Sequence, residues 1–211
     1  MHTKALLTLV QWLSPSYPVG AFAYSHGLEW AVSAKEVVDR ETLKSWLETV
    51  LRYGAGQSDA LFLAAAYRSD DILEVDALAR AFATSSERLK ETVLQGEAFC
   101  RVTREVWGAD MPTITYPVAV GRAARMLDLP LAQTLQVFVH AFMSNLTAAA
   151  MRLVPLGQTD GQIVIKELAD TCIGVADRAL DGSLEDLSST AFISDIAAMK
   201  HETQHSRIFR T

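Results

Sequence analysis

Along most of the chain, apolar residues recur every three or four positions. No stretch alternates Val, Ile, Thr and aromatics with polar residues as a half-buried strand requires. The pattern predicts an all-α protein, a single-domain helical bundle of about eight to ten helices. Asp39, with Thr42 three residues on, reads as an N-cap. Leu43, Trp46, Leu47 and Val50 carry the apolar stripe behind it towards Tyr53, where Gly54 and Gly56 end the helix. A short apolar helix restarts at Ser58 or Asp59 and reaches Tyr67, and Ser69-Asp70-Asp71 caps another that ends near Ala83. Ser85 opens the longest amphipathic segment, with a predicted buried face of Leu89, Val93, Gly96, Cys100, Thr103 and Trp107; Gly108 and Pro112 bound it. Tyr116-Pro117 starts a helix towards Leu127, with the proline in its first turn. Leu129-Pro130 opens a central helix that Pro155-Leu156-Gly157 closes. From Thr159 or Asp160, one further helix should run to Leu180 before Asp181-Gly182 breaks it.

Composition narrows the class. With 211 residues, half of them hydrophobic, the chain can build one substantial core. No repeat or linker divides it, so residues 1–211 read as one domain, with a flexible docking tail over about 200–211. Nineteen basic against twenty-five acidic residues give a net charge of −6. No basic run interleaves with aromatics, which argues against a nucleic-acid partner. Cys100 and Cys172 lack a C-x-x-C neighbour and suit buried thiols in a reducing compartment. Lys4, the apolar run Ala5–Leu13 and Ala21-Phe22-Ala23 imitate a secretory leader. Thr8 and Gln11 interrupt that run, however, and Leu6, Val10 and Leu13 repeat at helical spacing, so an amphipathic helix and a cytoplasmic location are expected. Leu131–Val154 is broken by Gln133, Gln136, His140, Ser144, Asn145 and Arg152, which favours a buried helix over a membrane span.

Three segments carry candidate chemistry. His201-Glu202-Thr203-Gln204-His205 spells the His-Glu-x-x-His of a zinc metallopeptidase, in which two imidazoles one helical turn apart hold the metal and the glutamate polarises water. A catalytic zinc needs a third protein ligand, and none of the six residues after His205 is His, Asp, Glu or Cys. The peptidase is therefore the alternative reading and a binding tail the leading one. His26, His201 and His205 are only weak metal candidates. In Ser14–Glu29, two prolines and Gly20 precede Tyr24, Ser25, His26 and Glu29, an ordered turn whose polar groups suit a binding rim. Val154–Gln162 is an elbow from which Arg152, Gln158 and Gln162 would project, with Thr159 or Asp160 capping the next helix. It is no phosphate cradle, since G-x-x-x-x-G-K-[ST] is missing and no lysine lies between Lys90 and Lys166. No nucleophile signature assembles Ser, His and Asp, and the carboxylates fall mostly on predicted solvated faces. The residues describe a helical binding protein rather than an enzyme.

The run Pro18-Val19-Gly20-Ala21-Phe22-Ala23-Tyr24-Ser25-His26-Gly27-Leu28-Glu29, the elbow and the terminal Ser206-Arg207-Ile208-Phe209-Arg210-Thr211 together resemble the urease accessory protein UreF family. Tyr116-Pro117-Val118-Ala119 with Gly121 adds to the likeness. The resemblance implies an all-helical, dimerising, non-catalytic scaffold for nickel insertion into urease. It would bind a UreD/UreH-type accessory protein, recruit or regulate the GTPase UreG and meet the urease apoprotein. No cofactor would be tightly bound, and nickel would be at most a transient cargo. Carried onto this chain, the partner-binding residues are Tyr24, Ser25 and Glu29; Arg152, Gln158, Asp160 and Gln162; and Arg207, Ile208, Phe209 and Arg210. Arg207 is expected to tie the tail to carbonyls or hydroxyls of the Tyr24 block. The family tail commonly reads Arg-Leu-Phe-Arg-Ser, so Ile208 and Thr211 depart from it mildly, and His205 stands where an aromatic is frequent.

Overall fold

Short polar breaks set the path of the chain in the computed structural model, which describes residues 3–210. The described residues form eleven α-helices, two 3-10 turns at Ala21–Ala23 and Leu184–Asp186, and no strand. In chain order the helices are α1 (Thr3–Trp12), α2 (Leu28–Ser33), α3 (Arg40–Tyr53), α4 (Ala55–Arg68), α5 (Ile72–Ala81), α6 (Ser86–Trp107), α7 (Tyr116–Met126), α8 (Leu131–Leu153), α9 (Gln158–Glu167), α10 (Ala169–Asp181) and α11 (Phe192–His201). The all-α expectation holds, and where local chemistry dictates a helix start, it does so as read. Asp39 accepts from Thr42 N at 2.9 Å while Thr42 Oγ1 accepts from Asp39 N at 3.0 Å, a reciprocal cap. Asp71 and Ser85 cap α5 and α6 through the amides of Glu74 and Arg88.

Helix α4 is the hub. It packs against α3, α5, α7, α8 and α10, and its run Ala60–Ala64 is buried on all sides. Gly121 of α7 makes the closest of these approaches possible: a β-carbon there would lie 2.2 Å from the carbonyl oxygen of Leu63. The sequence assigns the central place to the helix after Pro130. That helix, α8, is central as well: it packs against α10, α4, α9, α2, α3 and α7, and its buried face runs from Thr134 to Ala150.

Details of the pattern are corrected. Leu6 and Val10 are exposed, whereas Leu9 and Trp12 are fully buried; the Trp12 ring packs edge-on against Phe99 at 5.2 Å and Trp107 at 5.6 Å, so the large aromatic selects the inward face of α1. Helix α4 starts at Ala55 rather than at Ser58 or Asp59, with the Ser58 hydroxyl bonding back to the Gly54 and Ala55 carbonyls inside its first turn. The helix expected from Thr159 or Asp160 to Leu180 begins at Gln158, without a side-chain cap, and is two helices. They meet at buried Leu168, where φ −91° and ψ 1° depart from helical values although the Leu168 N–H still reaches Val164 O at 3.0 Å. No helix among the described residues is long and apolar enough to cross a membrane.

Candidate functional site

The loop before α2 is built to receive the end of the chain. Tyr17 anchors it from below, its hydroxyl 2.8 Å from Thr103 Oγ1. His26 and Gly27 then both take left-handed backbone conformations, φ 54° and 76°. Gly27 answers a second demand as well, since a β-carbon there would lie 2.5 Å from Ala198 N of α11. This contact brings α11 onto α2 and sets Glu29, in the first turn of α2, beneath the segment that follows α11.

Glu29 is the centre of a latch. Its buried carboxylate accepts from Ile208 N at 2.7 Å and Phe209 N at 2.9 Å, and it faces His201 Nε2 at 3.1 Å. The other ring nitrogen of His201 faces Glu87 of α6 at 2.7 Å, and Arg207 donates to the second oxygen of Glu87 at 2.6 Å. Glu202 completes the join by accepting from Ser86 N at 2.8 Å and Glu87 N at 3.3 Å, an anion on the open N-terminus of α6. The nearby Ser86 side chain, together with the Glu87 and Ser86 amides, holds the Glu202 carboxyl below its usual range.

Above the latch the tail crosses the Tyr24 loop. Arg210 N donates to Ala23 O at 2.8 Å, and burial pushes the Tyr24 phenol up against the lowering influence of the nearby Arg210. Arg152, at the end of α8, donates to Phe22 O at 3.2 Å and lies 4.6 Å from the centre of the Phe209 ring. A second, deeper cluster supports the loop. Arg88 reaches Glu91 at 2.6 Å and Asp59 at 3.3 Å, and Glu91 also meets His26 Nε2 and Gln95 Nε2, each at 2.9 Å. Burial would raise the Glu91 carboxyl, but Arg88 and His26 outweigh it and hold the group down at about 2; for Asp59, farther from the guanidinium, burial prevails and the shift is upward.

The residues singled out in the sequence are therefore partly gathered and partly dispersed. Tyr24, Ser25, Glu29, Arg152, Arg207, Ile208, Phe209 and Arg210 meet around the latch. Gln158 and Gln162 lie exposed on α9, and Asp160 turns to Arg40 of α3 at 3.6 Å. Arg207 ties the tail to Glu87 and to the His201 carbonyl rather than to the Tyr24 block, because α6 places a carboxylate within its reach first. The tail, expected to stay free until a partner orders it, is seated on its own chain with Phe209 buried.

The zinc spelling does not make a zinc geometry. α11 ends at His201, so His205 lies in a turn beyond the helix and is exposed; both nitrogens of His201 face carboxylates, and Glu202 caps α6. Glu87, Arg88, Glu91, Gln95 and Asp59 do not stand out in the sequence, because polar residues on an amphipathic helix read as a solvated face. Their trace in the sequence is helical phase: Glu91, Thr92 and Gln95 share the inward side of α6 with Gly96, Phe99 and Thr103, while the expected core residue Leu89 is exposed.

One face of α11 inverts the usual amphipathic order. Ser194, Ala197, Ala198 and His201 are buried, whereas Phe192, Ile193, Ile196 and Met199 are exposed at 65, 62, 50 and 51%. Phe22 of the Tyr24 loop and Ile208 of the tail are exposed as well. Large apolar side chains exposed together on one helix face are the kind of patch that marks interaction surfaces. The UreF family model matches residues 37–169. Relatives described as urease accessory protein UreF include those of Ruegeria pomeroyi, 57% identical over 99% of this chain and 97% of the relative, and Roseobacter denitrificans, 51% identical over 100 and 96%. A relative from Rhodopseudomonas palustris is 46% identical over 100 and 93%. The chain belongs to the UreF family of urease accessory proteins.

Proposed function

We propose that this chain is a non-catalytic scaffold on which a UreD/UreH-type accessory protein and the GTPase UreG gather with the urease apoprotein, so that nickel passes to urease as cargo. The observation that carries this reading is the inverted α11, whose large apolar side chains face outward. Burying a side chain of this size contributes about 1.5–3 kcal/mol, so four of them on one short helix offer a partner a hot-spot cluster. In this reading the UreD/UreH-type protein covers α11, and the neighbouring tail and Tyr24 loop receive the GTPase. A homodimer of the chain in the cytoplasm is part of the same reading. Any effect on GTP hydrolysis then acts through the partner's surface. Arg152, held by Phe22 O and the Phe209 ring, serves this surface as a clamp rather than as a reaching arginine.

Urease activation tests the proposal. In cells expressing apo-urease and the other accessory proteins, Ile196→Asp with Phe192→Ser should abolish nickel-dependent urease activity while the variant accumulates to normal levels. Full activation by that folded variant would refute it.

A further inference from the structure

We propose that the cleft between the terminal segment and α6 is a receptor for a carboxylate side chain of a protein partner; this rests on the GTPase-docking role proposed for the same face. The cleft encloses about 400 Å³. Its acid, Glu87, is already occupied by Arg207 on one oxygen and His201 on the other. Lys90 of α6 and Arg210 of the tail also line it, and neither has an ion-pair partner among the described residues. Two cations facing one cleft with no ion-pair partner among the described residues, on a chain of net charge −6, make a local site of opposite sign to the molecule as a whole. The Arg210 guanidinium, which lines the cleft together with Tyr24, offers a planar donor fork suited to a carboxylate.

The surroundings favour a protein side chain over a free anion. Leu94 and Phe209 supply apolar wall, and Phe22 and Ile208 beside the cleft are 70 and 64% exposed. An acidic residue flanked by an apolar one would use both features; a small inorganic anion would use only the charge. The two cations come from different elements, one on α6 and one on the tail that Glu29 holds down. The receptor is therefore complete only when the latch is closed, which makes latch closure and partner capture linked equilibria.

The test measures association of purified UreG-type GTPase with the full chain bound to its UreD/UreH-type partner, at low and high salt. Three variants are compared with wild type: Lys90→Glu, Lys90→Glu with Arg210→Glu, and Phe22→Ser. Exposed charges that steer association act mainly on its rate and lose force as salt rises. The wild type should slow with salt. The double variant should associate about tenfold more slowly at low salt and lose most of its salt dependence. Lys90→Glu, which leaves every tail hydrogen bond in place, should show a smaller change in the same direction. Unchanged rates and salt dependence in both charge variants, with binding weakened by Phe22→Ser, would overturn the carboxylate receptor and leave the docking face standing. Unchanged binding in all three would overturn both.

Discussion

Replacing Glu29 by Gln keeps the shape of the side chain and removes its charge and one acceptor. In the native latch, one oxygen accepts from Ile208 N and the other from Phe209 N, with His201 close to the second. Whichever way the glutamine amide turns, its NH2 cannot accept, so one of the two tail amides loses its partner. The other keeps a bond to a neutral oxygen. A hydrogen bond to a charged group contributes about 1.5–3 kcal/mol and a neutral one about 0.5–1.5, so losing one and weakening the other costs about 2–4 kcal/mol. The tail can open without unfolding the bundle, so the cost should appear locally. Each 1.4 kcal/mol is a factor of ten, so the Ile208 and Phe209 amides of Glu29→Gln should exchange with solvent about 30-fold faster or more. Native-state hydrogen exchange followed by NMR reads this directly, with the α4 amides as the internal standard. Unchanged exchange at Ile208 and Phe209, or acceleration spread equally over α4, would refute the assignment of Glu29 as the latch.

Gly27→Ala should detach α11 from α2, since its β-carbon would meet the Ala197–Ala198 backbone and the left-handed conformation alone costs about 1–2 kcal/mol; α11 amides should lose protection while the helicity of the remainder holds. Glu91→Gln should destabilise the fold at neutral pH by about 3 kcal/mol, the scale for breaking a buried ion pair. Because the folded Glu91 carboxyl lies at about 2, below its value of 4.5 in a free chain, its contribution is present above that higher value and is lost as pH falls towards the lower one. Urea midpoints of wild type and Glu91→Gln should therefore converge between neutral pH and pH of about 2, and a constant gap would contradict the role. Trp12→Ala should cost about 3–5 kcal/mol in urea unfolding, through the lost stacks on Phe99 and Trp107. Trp12→Phe should cost much less, as it keeps a ring and removes an indole N–H that lacks a partner within the described protein.

How much of this could be read in advance depended on the range of the cause. The caps at Asp39, Asp71 and Ser85 act over three residues, so they were legible. The polar stretch of α6 was not, because Glu91 and Arg88 are made tolerable inside by His26 and Asp59, 65 and 29 positions away. Glu29 and the tail amides it holds are 179 and 180 positions apart. α11 is unread in the sequence for a different reason: its apolar residues face outward, and a stripe exposed in the isolated chain looks the same as one meant for the core. The family resemblance brought Tyr24, Glu29, Arg152 and the tail residues together, but it did not supply Glu87, which takes Arg207 away from the Tyr24 loop.

The central claim, that the outward face of α11 holds a partner, is tested most directly by size-exclusion chromatography with light scattering on the chain mixed with its UreD/UreH-type accessory protein. Wild type should elute with the partner as one complex, and Ile196→Asp, with unchanged helicity, should elute apart from it. Co-elution of Ile196→Asp at the wild-type mass would contradict the account.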